Sequence, residues 1–277
     1  MNTALHLVER GLVPLPFLRL GIRRLLDQRV LDERGRETSA TKAWLEVMDG
    51  SAVAELPEKA NEQHYEVPAA FYERALGPNL KYSSCYFETG RETLGEAEEH
   101  MLRLTCERAQ LENGQSVLEL GCGWGSLTLW MAAQYPGSRI VGVSNSASQR
   151  RHILERARQR GLDNVEIRTA DMNEFDALEG GTSRRFDRIV SVEMFEHMRN
   201  WAELFGRARN WLDDDGRMFI HVFTHRDLNY PFEVRDETDW MSRYFFSGGM
   251  MPADDLLPSL AERESLPFRV DDHEVVN

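Results

Sequence analysis

Two carboxylates and an imidazole, Glu193, Glu196 and His197, fall within five residues, directly after an apolar run from Asp187 to Val192 that reads as a strand. Such a set can accept and return a proton, and one of its carboxylates can hold a cation. A second stretch that could do chemistry lies upstream. Ser116-Val-Leu-Glu-Leu-Gly-Cys-Gly-Trp-Gly125 runs from an apolar strand carrying Glu119 into glycines at alternate positions, Gly121, Gly123 and Gly125, and Ser126 to Ala133 then reads as a helix. Strand, glycine turn and helix bring backbone close to a ligand at the carboxyl end of a parallel strand, where the helix N-terminus favours an anionic group. A dinucleotide fingerprint would need its third glycine at Ser126, and no Gly-Lys-Ser/Thr follows to make a phosphate loop. The chemistry on offer is proton transfer beside a bound small molecule.

These residues need a frame, and the pattern around them supplies one. Arg139 to Val143 reads as a second strand, Ser146 to Arg160 as a polar helix ended by Gly161, and Val165 to Thr169 as a third strand. Asp187 to Val192 is the fourth, Trp201 to Leu212 a helix, and Arg217 to Phe223 the fifth. Strands alternating with helices predict an α/β fold, a mostly parallel sheet with helices on both faces and its ligands at the carboxyl edge. Asn229 to Pro252 breaks the rhythm with Tyr230, Phe232, Trp240, Tyr244, Phe245 and Phe246 before Gly248-Gly249, which suits a lid over a pocket. Ala253 to Glu264 reads as a helix and Phe268 to Val276 as a further strand.

The N-terminal part is helical. One helical region runs to about Gly35, punctuated by Pro14 and Pro16, and another from Ser39 to Gly50. A polar linker (Lys59 to His64), a helix from His64 capped at Gly77, an aromatic, hydroxyl-rich stretch (Leu80 to Phe87) and a long amphipathic helix (Thr93 to Asn113) follow. Arg19, Arg23, Arg24 and Arg29 border the apolar stripe of the first region, as on a membrane-surface helix, but Asp27, Asp32 and Glu33 dilute the positive face. The expectation is a helix packed on the main domain. The domain reading is a helical cap over 1–90, a core over 91–225, and a lid with an incomplete sheet end over 226–277.

At 277 residues, with 42% apolar and 29% charged residues, the chain can bury a full-size core. A formal net charge of −13 argues against nucleic acid as the main partner. Cys85, Cys106 and Cys122 are too few and scattered for a disulfide framework or a zinc site. No apolar run has the length of a membrane span. The reading is a cytoplasmic protein, without metal or membrane association, and a homodimer by base rate.

The Gly-x-Gly-x-Gly spacing behind Glu119 resembles motif I of the S-adenosylmethionine (SAM) dependent methyltransferases. Together with Asn79-Leu-Lys-Tyr-Ser-Ser-Cys-Tyr-Phe87, Met194-Phe-Glu-His-Met198 and Arg243-Tyr-Phe-Phe-Ser-Gly-Gly-Met-Met-Pro252, it resembles the coclaurine N-methyltransferase family. That family lies within the wider cyclopropane-fatty-acyl-phospholipid synthase superfamily, and the likeness runs from about His64 to the end. The resemblance implies a Rossmann-like SAM-dependent methyltransferase fold with an N-terminal helical cap, SAM as methyl donor with S-adenosyl-L-homocysteine as product, and a small aromatic or alkaloid-like amine as substrate.

It also implies residue roles. Tyr82 and Ser83 would close over SAM, and Gly121 and its neighbours would hold the methionine end. Ser144-Asn145 stands where an acid usually binds the ribose, a role the resemblance gives to Gln149 instead. Asp171 and Met172 match the adenine site, and Val192 lies beside the cofactor. Catalytic roles fall on Glu196 and His197, with Glu193 orienting or holding the cationic amine. Phe195, His221, Tyr230, Trp240, Tyr244 and Phe245 are the substrate-facing candidates, although a lone strand histidine such as His221 is more often a hydrogen-bonded core residue. A sheet of this type finishes with an antiparallel hairpin, for which only one strand fits, so the chain reads as C-terminally truncated. The competing reading is methylene or methyl transfer to an unsaturated lipid. The lipid enzymes place a cysteine where this chain has Ser84, and Cys85 comes one residue later.

Overall fold

Five parallel strands, β1 (Ser116–Leu120), β2 (Arg139–Ser144), β3 (Val165–Thr169), β4 (Phe186–Val192) and β5 (Leu212–His221), stand in the order β3-β2-β1-β4-β5. The structure is a computed structural model that describes residues 3–56, 68–178, 185–236, 239–263 and 266–276. The helices in chain order are α1 (Thr3–Glu9), α2 (Leu15–Arg34), α3 (Thr41–Asp49), α4 (Ala69–Ala75), α5 (Leu94–Arg108), α6 (Ser126–Gln134), α7 (Ala147–Gln159), α8 (Trp201–Trp211), α9 (Trp240–Tyr244) and α10 (Leu256–Ala261). Two short strands, β6 (Tyr230–Pro231) and β7 (Met250–Met251), pair antiparallel.

The period of two along each strand decides which core a side chain joins. Leu118, Leu120, Val141 and Ile189 pack with Trp44, Phe205 and Leu256 on one face, and Val117, Ile140 and Val190 with Leu102 and Met131 on the other. Register follows: Leu118 lies opposite Val141 on one side and Ile189 on the other. The α/β fold with helices on both faces is therefore the one observed. Because the strand order reverses between β2 and β4 around β1, their carboxyl ends splay into a crevice.

Several local expectations change. Helix α2 leaves Leu15, Phe17, Leu20, Leu25 and Leu26 exposed instead of packing them on the main domain. Among the described residues, ion pairs tie down its last turns. There the fully buried Glu33 receives Arg235 at 2.7 Å and Ser39 at 3.3 Å, and Arg29 pairs with Asp239. Charge, not the apolar stripe, anchors this helix.

The helix expected over His64–Gly77 begins at Ala69, after Pro68; His64 to Val67 lie outside the described residues. Gly77 does not cap it, since Leu76 holds that position. A Cβ on Gly77 would instead meet the Glu98 carboxylate at 2.5 Å, so close approach is what requires glycine. At the chain's end, 268–276 form no strand. Phe268 packs its ring on Phe205 and Asp271 pairs with Arg217 at 3.1 Å, so side chains, not a backbone ladder, hold that segment.

Candidate active site

The crevice begins where β1 ends. Gly121 turns with φ of 82°, and a Cβ there would meet Met194 at 2.7 Å. Gly123 also has a positive φ, but a Cβ would meet nothing within 4 Å, so this position faces open space. Gly125, the N-cap of α6, lies against Ile153 and serves packing. Two adjoining cavities, of about 70 and about 530 Å³, share Gly121, Gly123 and His197 as walls. They adjoin across those shared residues.

The smaller cavity is lined by Val143, Ser144, Asn145, Asp171 and Met172, from the ends of β2 and β3. One Asp171 oxygen accepts the Asn173 backbone N–H at 2.8 Å, as a helix N-cap would, while the residue still faces the cavity. Tyr82, Ser83, Glu119, Gln149, Val192, Glu193 and Phe245 line the larger one. Ser146 caps α7 and brings Gln149 inward, where its Oε1 accepts the Ser144 hydroxyl at 2.5 Å. The Gln149 Nε2 is buried with no hydrogen-bond partner among the described residues. An orphaned amide donor beside an open cradle at Gly123 is what a polar ligand with acceptor oxygens would satisfy. Glu119 accepts the Thr128 hydroxyl, and burial pushes its carboxyl up to about 7.

Past β4 the chain makes a left-handed turn at Glu193, with φ of 50°. The Glu193 N–H donates to the His221 carbonyl at 2.8 Å, and its carboxylate accepts the Ser84 hydroxyl. His197 stacks on Phe246 with ring centroids 4.2 Å apart. Glu196 is fully buried and lines neither cavity. Its Oε1 accepts the Phe223 N–H at 2.8 Å, its Oε2 has no partner among the described residues, and burial pushes its carboxyl up to about 8. The site thus combines an imidazole and a carboxylate on the wall with a buried carboxyl behind them, whose neutral form burial favours.

The other candidates lie off the cavity walls. Phe195 is fully buried in the core, stacked on Phe205 and edge-on to Trp201. His221 sits at the end of β5, its imidazole held below the ordinary value by burial. Tyr230 is buried against Phe232 and under the Arg29 guanidinium. Trp240 and Tyr244 pair with each other, exposed, on α9. An aromatic stripe signals an insertion that packs, without saying which rings point inward. Conversely Lys81, Trp124, Phe223 and Phe246 line the larger cavity without having been singled out for it. Trp124 lay in plain view between two motif glycines. Lys81, buried with its ammonium lowered by that burial, lay within the Asn79–Phe87 stretch but was given no role there.

Residues 54–275 match the family model described as mycolic acid cyclopropane synthetase. The chain is 44% identical over 194 residues to (S)-coclaurine N-methyltransferase of Thalictrum flavum subsp. glaucum, covering 70% of this chain and 52% of that protein. It is 33% identical over 274 residues to (S)-coclaurine N-methyltransferase of Papaver somniferum, covering 98% of this chain and 75% of the relative. A crystal structure of coclaurine N-methyltransferase bound to N-methylheliamine and SAH superposes with a TM-score of 0.85 at 35% identity, covering 94% of this chain and 75% of that one. The chain spans about half the length of the first of these relatives.

Proposed function

From a chain that belongs to the mycolic acid cyclopropane synthetase family, we infer a SAM-dependent N-methyltransferase acting on a small aromatic, alkaloid-like amine of tetrahydroisoquinoline type. The observation that carries this reading is the larger cavity, which Glu193 and His197 line together with Gly121 and Gly123. SAM, when bound, supplies an activated methyl group on a positive sulfur. Tyr82, Ser83, Glu119, Gly121, Gly123 and Gln149 are proposed to hold its methionine and ribose end, and Asn145, Asp171 and Met172 its adenosine. The orphaned Gln149 amide and the open face of Gly123 support that fit.

The chain's own residues then treat the amine. An alkylamine is mostly protonated near neutral pH and must lose that proton before it can act as a nucleophile. Glu193 receives the cation and orients it. His197, fixed by its stack on Phe246, takes the proton at the cavity wall. Glu196 braces the Phe223 backbone from behind, and burial favours its neutral form, with its carboxyl pushed up to about 8. Trp124, Phe223 and Phe245 supply flat faces for an aromatic ring or a cation and exclude water.

Incubation with labelled SAM and two pools, tetrahydroisoquinoline-type amines and unsaturated phospholipid vesicles, tests the reading. Label in the amine pool is the expected result, and label confined to lipid overturns it. The division into a cap over 1–90, a core over 91–225 and a lid over 226–277 is proposed with it, supported by cap and insertion residues lining one cavity with the sheet ends. Among the described residues no helix is long and apolar enough to cross a membrane. A cytoplasmic location is proposed, to be checked by fractionation, and the net charge of −13 argues against nucleic acid as the main partner. A homodimer is proposed through α2, whose exposed leucines and arginines complement a second acidic copy of the chain. Sedimentation of Leu20→Glu, expected to be monomeric, tests it.

A further inference from the structure

Ser84 and Glu193 lie 109 residues apart, and both have the left-handed backbone that non-glycine residues avoid, with φ of 56° and 50°. Their side chains meet, the Ser84 hydroxyl donating to a Glu193 carboxylate oxygen. Strained positions persist where the surroundings over-determine them, and they gather at functional sites.

The surroundings of Ser84 do over-determine it. On one side, both oxygens of the fully buried Glu98 accept backbone N–H groups, Asn79 at 2.8 Å and Lys81 at 3.0 Å. On the other, Tyr86 N–H donates to the Ala97 carbonyl at 3.0 Å. The cap segment is thus pinned to α5 at both ends, and the turn at Ser84 sends its hydroxyl toward the end of β4. Glu193 is pinned by its N–H on the His221 carbonyl, and its turn carries the carboxylate back toward the cap. One carboxylate oxygen is thus committed to Ser84, and Glu193 lines the large cavity.

We propose that Ser84 is a positioning residue for the reaction, fixing the Glu193 carboxylate so that it receives the substrate ammonium at the geometry His197 requires. This rests on the amine-methyltransferase reading. A charge-assisted hydrogen bond of this kind corresponds to an effect on the order of ten- to hundredfold when its donor is removed. Backbone relief and hydroxyl loss make opposite forecasts, and that separates positioning from structural support. Glycine at position 84 accepts the positive φ freely, so it removes strain and hydroxyl together.

The test compares Ser84→Gly, Ser84→Ala and Glu193→Ala, and the Ser84→Ala/Glu193→Ala double variant, by amine kcat and KM and by calorimetric SAM binding. Ser84→Gly is expected to melt no lower than the wild type, yet to raise the amine KM or lower kcat by about tenfold or more, with SAM affinity unchanged. In the Glu193→Ala background the serine change is expected to add nothing, because its effect passes through the carboxylate. Wild-type kinetics in Ser84→Gly, or fully additive losses in the double variant, overturn the proposal. If the wild type methylates no amine, the functional reading fails instead. The positioning claim is then decided by a crystal structure of Ser84→Gly: an unmoved, fully ordered Glu193 side chain refutes it, and a displaced or multiple-conformer one supports it.

Discussion

The carboxyl of Glu196 accepts the backbone N–H of Phe223 at 2.8 Å while its second oxygen lies buried without a partner among the described residues. The acid therefore holds the strand-five exit against the turn that carries His197. Its environment makes the neutral form the favoured one, with a pKa pushed up to about 8 by burial.

That has a consequence for stability. In the unfolded chain a glutamate ionises near about 4.3. Above that pH the unfolded state has released protons that the native state still holds on Glu196, up to about 8, and on Glu119, up to about 7. Stability contributed by these groups is present below pH of about 4.3 and declines as pH rises through that window. Ligand-free protein is expected to melt lower at the alkaline end than near pH 5. Glu196→Gln, an isostere of the neutral acid, should remove part of that slope. A wild-type slope in the variant, measured by calorimetry across the window, contradicts the assignment.

His197→Ala is expected to lower kcat with an amine by about 10²- to 10⁴-fold, the usual range for a lost general base. SAM affinity should fall far less, because Gly121, Gly123 and Gln149 remain in place. Phe246→Ala should give a smaller loss in the same parameter, by releasing the ring stacked at 4.2 Å. Parallel losses of SAM binding and kcat in His197→Ala would move the histidine from proton transfer to cofactor binding.

Gln149→Leu keeps the volume of the side chain but removes both the amide donor and the acceptor of the Ser144 hydroxyl. SAM binding should weaken by about tenfold, the scale of one or two net hydrogen bonds, while the amine KM stays put. Isothermal titration with SAM settles it. Undiminished affinity would exclude Gln149 from the cofactor site.

Glu33 lies at the junction of α2 with the aromatic insertion, fully buried among Arg29, Arg235 and Ser39. Replacing it by alanine removes the carboxylate shared by Arg29, Arg36 and Arg235, and of these Arg29 keeps Asp239. A loss of about 3 kcal/mol in denaturant unfolding is expected, the lower end for a broken buried pair because the arginines keep some solvent contact. A change within about 0.5 kcal/mol, as for an ordinary surface site, would show that Asp239 alone holds Arg29.

The amino-acid order alone was enough for the frame. Strand-length apolar runs at Val117–Leu120, Ile140–Val143 and Ile189–Val192, separated by helical segments, leave little choice but a parallel sheet, and the alternate glycines mark its ligand edge. Period and turn chemistry are local properties, so they can be read locally. The start of α5 near Thr93 and the end of α7 near Gly161 are legible for the same reason.

Which side chains share the crevice depended on packing between distant segments. Nothing near Ser84 announces Glu193, because their meeting is set by Glu98 and Ala97 on one helix and by His221 on a strand. Equally, the composition of the insertion does not distinguish Phe245 and Phe246, which turn inward, from Trp240 and Tyr244, which face solvent. Likewise, the sequence around Glu196 does not show that its carboxyl is fully buried and accepts the Phe223 N–H. Burial and long-range hydrogen bonding are properties of the folded whole, and only the tertiary structure decides them.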